Sequence, residues 1–160
     1  LGSVIGMNTV EHCNALIDDA LAKGATLLCG GKASNTLMAA TVLDHVTPAM
    51  RIYHEETFGP VKCVVRVNGV DEAVACANDN EYGLSSAVFG ADIARAFNVA
   101  RRIDSGICHV NGPTVHDEAQ MPFGGVKGSG MGRFGGKAGV AEFTELRWIT
   151  LQTTPRHYPF

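Results

Sequence analysis

Val61-Lys-Cys-Val-Val-Arg-Val67, Asp71-Glu-Ala-Val-Ala-Cys-Ala-Asn78, Leu84-Ser-Ser-Ala-Val-Phe89, Asp92-Ile-Ala-Arg-Ala-Phe-Asn-Val-Ala-Arg-Arg-Ile103 and Ile107-Cys-His-Val110 follow one another through short polar or glycine-containing links. The first, third and fifth segments are strand-like in composition, and the second and fourth carry helical spacing with Asp71 and Asp92 placed to cap them. Strands alternating with helices of this length imply βαβ crossovers, which are right-handed and build a mainly parallel sheet covered on both faces. The fold class expected is therefore α/β.

Outward toward the N-terminus, Val10, Cys13, Leu16, Ile17, Ala20 and Leu21 lie on one helical face over 8–23, with Asn8 and Glu11 spaced as a capping box and Gly24 as the stop. A strand over 25–29, a Gly-Gly turn and a second strand over 38–43 are expected next. Thr47-Pro48 then opens the loop that leads to Glu55. Outward toward the C-terminus, 145–152 reads as a strand apolar on both sides: Leu146, Trp148 and Thr150 alternate with Arg147, Ile149 and Leu151. Such a strand needs two partners.

Composition narrows the function classes. The chain has 160 residues, 46% hydrophobic and 18% charged, which fits one compact domain. A net charge of −3 offers no basic stripe for a phosphate backbone, so nucleic acid is not an expected partner. No apolar run approaches bilayer length, and Leu1 to Met7 lacks the positive start and cleavage site of a signal peptide, so a soluble, cytoplasmic chain with no membrane partner is expected. Five cysteines without a CxxC pair argue against a disulfide framework or a zinc site. Each lies in a run that reads as helix or strand, so all five are expected to be small buried apolar residues and none a nucleophile. The six histidines share no i, i+4 spacing, and no metal site is expected.

The glycine-rich segment invites two misreadings. Gly130, Gly132 and Gly135 spell GxGxxG, yet no strand leads into them and no acidic residue follows at the right distance. Gly136-Lys137 fails as a phosphate loop, because Met131 stands where the first glycine belongs and Ala138 where Ser or Thr should follow. The eight glycines between Gly124 and Gly139 are read instead as permitting positive φ and close packing.

Four blocks carry a resemblance to a known family. They are Glu55-Glu-Thr-Phe-Gly-Pro60, Asn78 to Phe89, Gly106 to Asn111, and Met121-Pro-Phe-Gly-Gly-Val-Lys-Gly-Ser-Gly-Met-Gly-Arg133. In order and spacing they resemble the aldehyde dehydrogenase superfamily, over nearly the whole chain but only the C-terminal third or so of the family's length. The resemblance implies that Glu56 accepts hydrogen bonds from the nicotinamide ribose hydroxyls of NAD or NADP and that Phe58 packs against the cofactor. An ionised carboxylate accepts two hydroxyls at once through charge-assisted bonds, and an aromatic wall limits where the nicotinamide settles. Alone, the six residues from Glu55 would read as a surface glutamate pair before a turn; the downstream blocks reverse that. Phe123 is implied to line the aldehyde tunnel, with 111–120 as its outer wall, although plain core remains an equal reading.

The chain is similar, more narrowly, to salicylaldehyde and related aromatic aldehyde dehydrogenases, through Asn111-Gly-Pro-Thr-Val-His-Asp-Glu-Ala-Gln120, Arg133-Phe-Gly-Gly-Lys-Ala-Gly139 and Glu142-Phe-Thr-Glu-Leu-Arg-Trp148. His116 and Asp117 could bond an ortho hydroxyl on the ring, but a solvated loop tip is the preferred reading. Phe134 replaces a glutamate that many members carry, so that residue's proton-relay role is not transferred. Arg133 and Glu145 match an interface pair and are read as structural.

The reaction implied is oxidation of an aldehyde, aromatic by subfamily, to the carboxylate. A cysteine thiolate forms a thiohemiacetal, hydride passes to the nicotinamide, and a glutamate-activated water hydrolyses the thioester. None of these five cysteines has the Gly-Gln-x-Cys context of the family nucleophile, so nucleophile, base and cofactor domain are expected upstream of Leu1 and the 160 residues alone are expected to be inactive. Residues 1–143 are expected to belong to the catalytic domain and 144–160 to form an oligomerisation strand and tail in a homo-oligomer. The alternative is a non-catalytic, self-associating α/β interaction module, which exposed apolar surface would favour.

Overall fold

A computed structural model describes residues 1–159. Its elements run α1 (Met7–Ala22), β1 (Thr26–Cys29), β2 (Thr41–Asp44), α2 (Arg51–His54), β3 (Val61–Cys63), α3 (Val70–Asn78), β4 (Ser85–Val88), α4 (Ile93–Ala100), β5 (Ile107–Val110) and α5 (Gly136–Glu142). They pack as two compact units, Leu1–Glu81 and Tyr82–Phe160. The fold is α/β: β2–β3 and β4–β5 pair in parallel, while β1–β2 is antiparallel.

In the first unit the apolar stripe of α1 is buried as its spacing requires. Val10, Cys13, Leu16, Ile17 and Ala20 join Leu43, Val61 and Met50 in the core, whereas Leu21, at the edge of the stripe, is exposed. Each fully buried aliphatic side chain of this kind contributes about 1.5–3 kcal/mol over leaving it in water. The helix stops at Gly24, whose φ of +98° no branched side chain would adopt readily. Gly24 N–H bonds Leu21 O at 3.1 Å and Ala25 N–H bonds Ala20 O at 2.9 Å, the paired closure of a Schellman motif.

The N-terminus of α1 differs from the expected capping box. Gly6 is the cap residue, and Asn8 lies inside the first turn with its Oδ1 accepting from Thr9 N–H. Likewise Gly69, not Asp71, caps α3; its φ of +91° makes the entry turn, and Asp71 and Glu72 fall in the first turn, where carboxylates suit the helix dipole. Asp92 does cap α4, accepting from Arg95 N–H at 3.0 Å.

The strands are shorter than hydrophobic composition suggests because pairing, not propensity, sets their ends. Strand β2 begins at Thr41, where its N–H reaches Pro60 O at 2.8 Å, so Met38 is buried outside the ladder. It ends at Asp44 because His45 has φ +57° and turns the chain, which leaves most of 64–67 without a strand to follow. Arg66 clasps buried Asp44 with Nε at 2.9 Å and Nη2 at 2.5 Å, and holds that carboxyl down at about 2.

In the second unit, β4, α4 and β5 form one parallel crossover with Ala96 and Ala100 on the buried face of the helix. Asn111 ends β5 at φ +56° and its side chain both donates to Gly90 O and accepts from Gly90 N–H, at 2.9 and 2.8 Å. Over 145–152 the chain joins no strand among the described residues; Leu146, Trp148, Ile149 and Leu151 are all exposed. The cysteines also divide against expectation. All are free, but only Cys13 is buried, Cys76 and Cys108 are half-buried, and Cys29 and Cys63 are exposed. Cys29 lies on β1, an edge strand whose every residue is exposed.

Candidate functional site

Tight turns place the Glu55–Pro60 loop. Arg51, in the first turn of α2, grips Glu55 with Nε and Nη2 at 2.7 and 2.9 Å, and this pairing lowers the Glu55 carboxyl below its ordinary range. The chain then turns, with Glu56 O against His12 Nε2 at 3.0 Å and Thr57 Oγ1 donating within the loop. Only glycine fits at position 59, since a Cβ there would lie 2.5 Å from Cys13 Sγ.

These contacts separate two adjacent glutamates. Glu55 is spent in an ion pair; Glu56 is exposed, and no described residue hydrogen-bonds its carboxylate. Glu56, Phe58 and Lys62 line one cleft of about 720 Å³ with residues of 1–5. Phe58 is 81% exposed and sits at φ +46°. A large side chain in the left-handed region costs of order 1–3 kcal/mol, a strain that clusters at ligand sites. An unpartnered carboxylate and an open aromatic face on one wall fit a sugar with vicinal hydroxyls carrying a planar base.

The second unit places Phe123 at another cavity. The turn that carries it is pinned three ways. Phe123 and Phe134 exchange backbone hydrogen bonds of 2.9 and 2.7 Å. Arg133 Nη1 donates to Gly125 O and Gly132 O at 2.9 and 2.7 Å, and Arg133 N–H bonds Glu142. Gly106 meets Gly124 so closely that a Cβ would lie 1.7 Å from its carbonyl oxygen. The Arg133 guanidinium is thus directed to backbone carbonyls, and it is the main-chain N–H of Arg133 that meets the Glu142 carboxylate. The glycine-rich segment serves packing: a Cβ on Gly135 would lie 2.1 Å from Met121 O.

Phe123 is half-buried and lines a cavity of about 420 Å³ together with Cys108, His109, His116, Asp117 and Glu118. His116 Nε2 lies 3.3 Å from Glu118 Oε1, so this end of the loop is internally bonded as well as solvated. Sequence reasoning passed over His109, which sits mid-strand in β5 between apolar neighbours; nothing in the pattern of 107–110 marks it. Among the described residues, no group of three His, Cys, Asp or Glu side chains is placed to hold a metal ion.

Vanillin dehydrogenase of Pseudomonas sp. strain HR199 is 56% identical over 99% of this chain and 33% of its own length. A crystal structure of salicylaldehyde dehydrogenase from Pseudomonas putida G7, complexed with salicylaldehyde, superposes with a TM-score of 0.91 at 51% identity, covering 100% of this chain and 33% of that one. The aldehyde dehydrogenase of Mycobacterium tuberculosis complexed with NAD+ gives a TM-score of 0.83 at 31% identity, over 91% of this chain and 31% of that one. The chain thus spans about a third of the relatives it matches. The model of the aldehyde dehydrogenase family matches residues 1–149, and the chain belongs to that family.

Proposed function

We propose that this chain supplies one wall of the nicotinamide site and part of the substrate tunnel of an NAD(P)-dependent dehydrogenase that oxidises an aromatic aldehyde to the carboxylate. The observation that carries the reading is the pairing of an unengaged Glu56 carboxylate with a strained, open Phe58 ring on one cleft. NAD(P), when bound, supplies the hydride acceptor. Glu56 would hold it through the ribose hydroxyls, two donors to one acceptor-only group, and Phe58 would limit the tilt of the base. Phe123 would contribute an aromatic face to the tunnel, which favours flat apolar rings through offset and edge contacts. Vanillin and salicylaldehyde, the aldehydes in the names of the relatives, are both aromatic.

Nucleophile and general base are assigned to residues beyond this chain, because none of its cysteines stands in a Gly-Gln-x-Cys context, and burial raises the thiols of Cys13 and Cys63. The protein is read as a cytoplasmic homo-oligomer with 144–160 as the oligomerisation strand and tail. No helix among the described residues is long and apolar enough to cross a membrane. The test is NAD- or NADP-dependent turnover of benzaldehyde, salicylaldehyde and vanillin by the full-length enzyme and by the purified 160 residues. Turnover is expected from the first alone. Oxidation by the 160 residues, or preference of the whole enzyme for short aliphatic aldehydes, would overturn the reading.

A further inference from the structure

The cavity beside Phe123 is more polar than an apolar ring requires. His109 enters it from the middle of β5, and its Nε2 is sealed from solvent with no hydrogen-bond partner. A buried polar nitrogen without a partner is unfavourable, and natural structures rarely keep one unless something else completes it. His116 stands edge-on to it, with ring centroids 5.7 Å apart and planes at 82°. His116 is itself exposed and sits on the exposed loop beyond Gly112. Side chains in such positions reorient within nanoseconds, so this ring can turn aside.

We propose that His109 is a specificity-determining residue whose Nε2 takes the hydrogen bond of a hydroxyl group on the aromatic ring of the substrate. This rests on the reading of the parent enzyme as an aromatic aldehyde dehydrogenase. A phenolic hydroxyl suits the site in two ways. It both donates and accepts, so it satisfies Nε2 in either tautomer of the ring. It is also neutral, whereas Asp117 and Glu118 on the same cavity oppose a carboxylate substituent. Phe123 supplies the apolar face for the remainder of the ring. A site built to bond a hydroxyl discriminates against the analogue that lacks one, because the protein group is then left unsatisfied.

The experiment uses the full-length enzyme with benzaldehyde and its three monohydroxy isomers. His109→Phe is expected to lower kcat/KM for the best hydroxy isomer by about tenfold or more, while benzaldehyde changes by less than about threefold. His109→Gln, which retains a bonding group, is expected to recover part of the preference. Equal losses on benzaldehyde and on the hydroxy isomers would mean a structural role and overturn the proposal. Should His109→Phe fail to fold, competition on the wild type decides: phenol is expected to inhibit at least about tenfold more tightly than toluene, and parity overturns the proposal. A wild-type enzyme that oxidises neither benzaldehyde nor its hydroxy isomers would instead overturn the underlying reading, before any variant is compared.

Discussion

Arg51 and Glu55 form a two-pronged ion pair one helical turn apart, at 2.7 and 2.9 Å, and the pair fixes which of two consecutive glutamates faces the cleft. With Glu55 held over α2, Glu56 is left as the available acceptor. Exchanging the acids for amides should therefore have unequal effects. In the full-length enzyme, Glu56→Gln is expected to raise the cofactor KM about tenfold, the equivalent of one charge-assisted bond, with little change in Tm. Glu55→Gln is expected to leave KM unchanged and to lower Tm by no more than about 2 °C, since exposed ion pairs contribute little. Steady-state titration of NAD and NADP against each variant checks both.

Phe58 offers a separation of stability from function. Its φ of +46° is unfavourable for phenylalanine and open to glycine, and the ring is too exposed to stabilise the core. Phe58→Gly is expected to leave the unfolding free energy from urea denaturation unchanged or to raise it by up to about 1 kcal/mol, because relief of strain offsets the added freedom of the unfolded chain. Phe58→Val, β-branched at the same φ, is expected to lower it. A large loss of stability in the glycine variant would mean that the ring holds the fold rather than the cofactor.

Acid stability should depend on Asp44. Arg66 holds this carboxyl at about 2, below its unfolded value near 3.9. A depressed folded pKa contributes stability that is fully present above the unfolded value and is lost as pH falls from there through the folded one. Circular dichroism between pH 5 and pH 1.5 is expected to show wild-type stability falling from roughly pH 4 downward. Asp44→Asn should be less stable at neutral pH and flatter across that window. The same slope in both proteins would assign acid unfolding elsewhere.

The contrast between units shows what was legible in the sequence. Helix α1 and the alternation of strands and helices could be read, because periodicity and turn residues act over a few positions. The pairing that withdraws Glu55 and leaves Glu56 open could not be read, since it depends on an arginine four residues earlier being in a helix of a single turn. Strand ends were misplaced for a related reason: β2 stops where His45 turns, and hydrophobic composition carries no trace of that torsion. Helix α5 hides in a glycine-rich run whose propensity opposes it, and contacts around Gly135 and Gly136 supply what propensity does not. His109 was invisible because its significance is an absence of partners in three dimensions.

Gly106→Ala is expected to damage the Phe123 wall through the backbone. The added carbon would overlap Gly124 O at 1.7 Å and approach Gly125 Cα at 3.0 Å, so the turn carrying Phe123 must move. The expected cost is about 3 kcal/mol, with a raised aldehyde KM in the full-length enzyme. Gly2→Ala meets nothing within 4 Å and serves as the neutral control. Urea denaturation of the two variants compares them directly.

Trp148 is the single tryptophan of the chain and is 90% exposed, flanked by Leu146 at 106% and Leu151 at 87%. Apolar side chains alternating on both faces of an unpaired segment form a template for strand addition, so the isolated chain is expected to associate through 145–152. Emission from Trp148 should then shift to the blue as concentration rises, in step with a dimeric or larger mass by light scattering. Trp148→Glu and Ile149→Lys, which place charge on opposite faces, should each shift the chain toward monomer while leaving the fold of both compact units intact by circular dichroism. A wild-type chain that stays monomeric at high concentration, with unshifted emission, would show that this segment does not drive self-association and would remove the support for the interaction-module alternative.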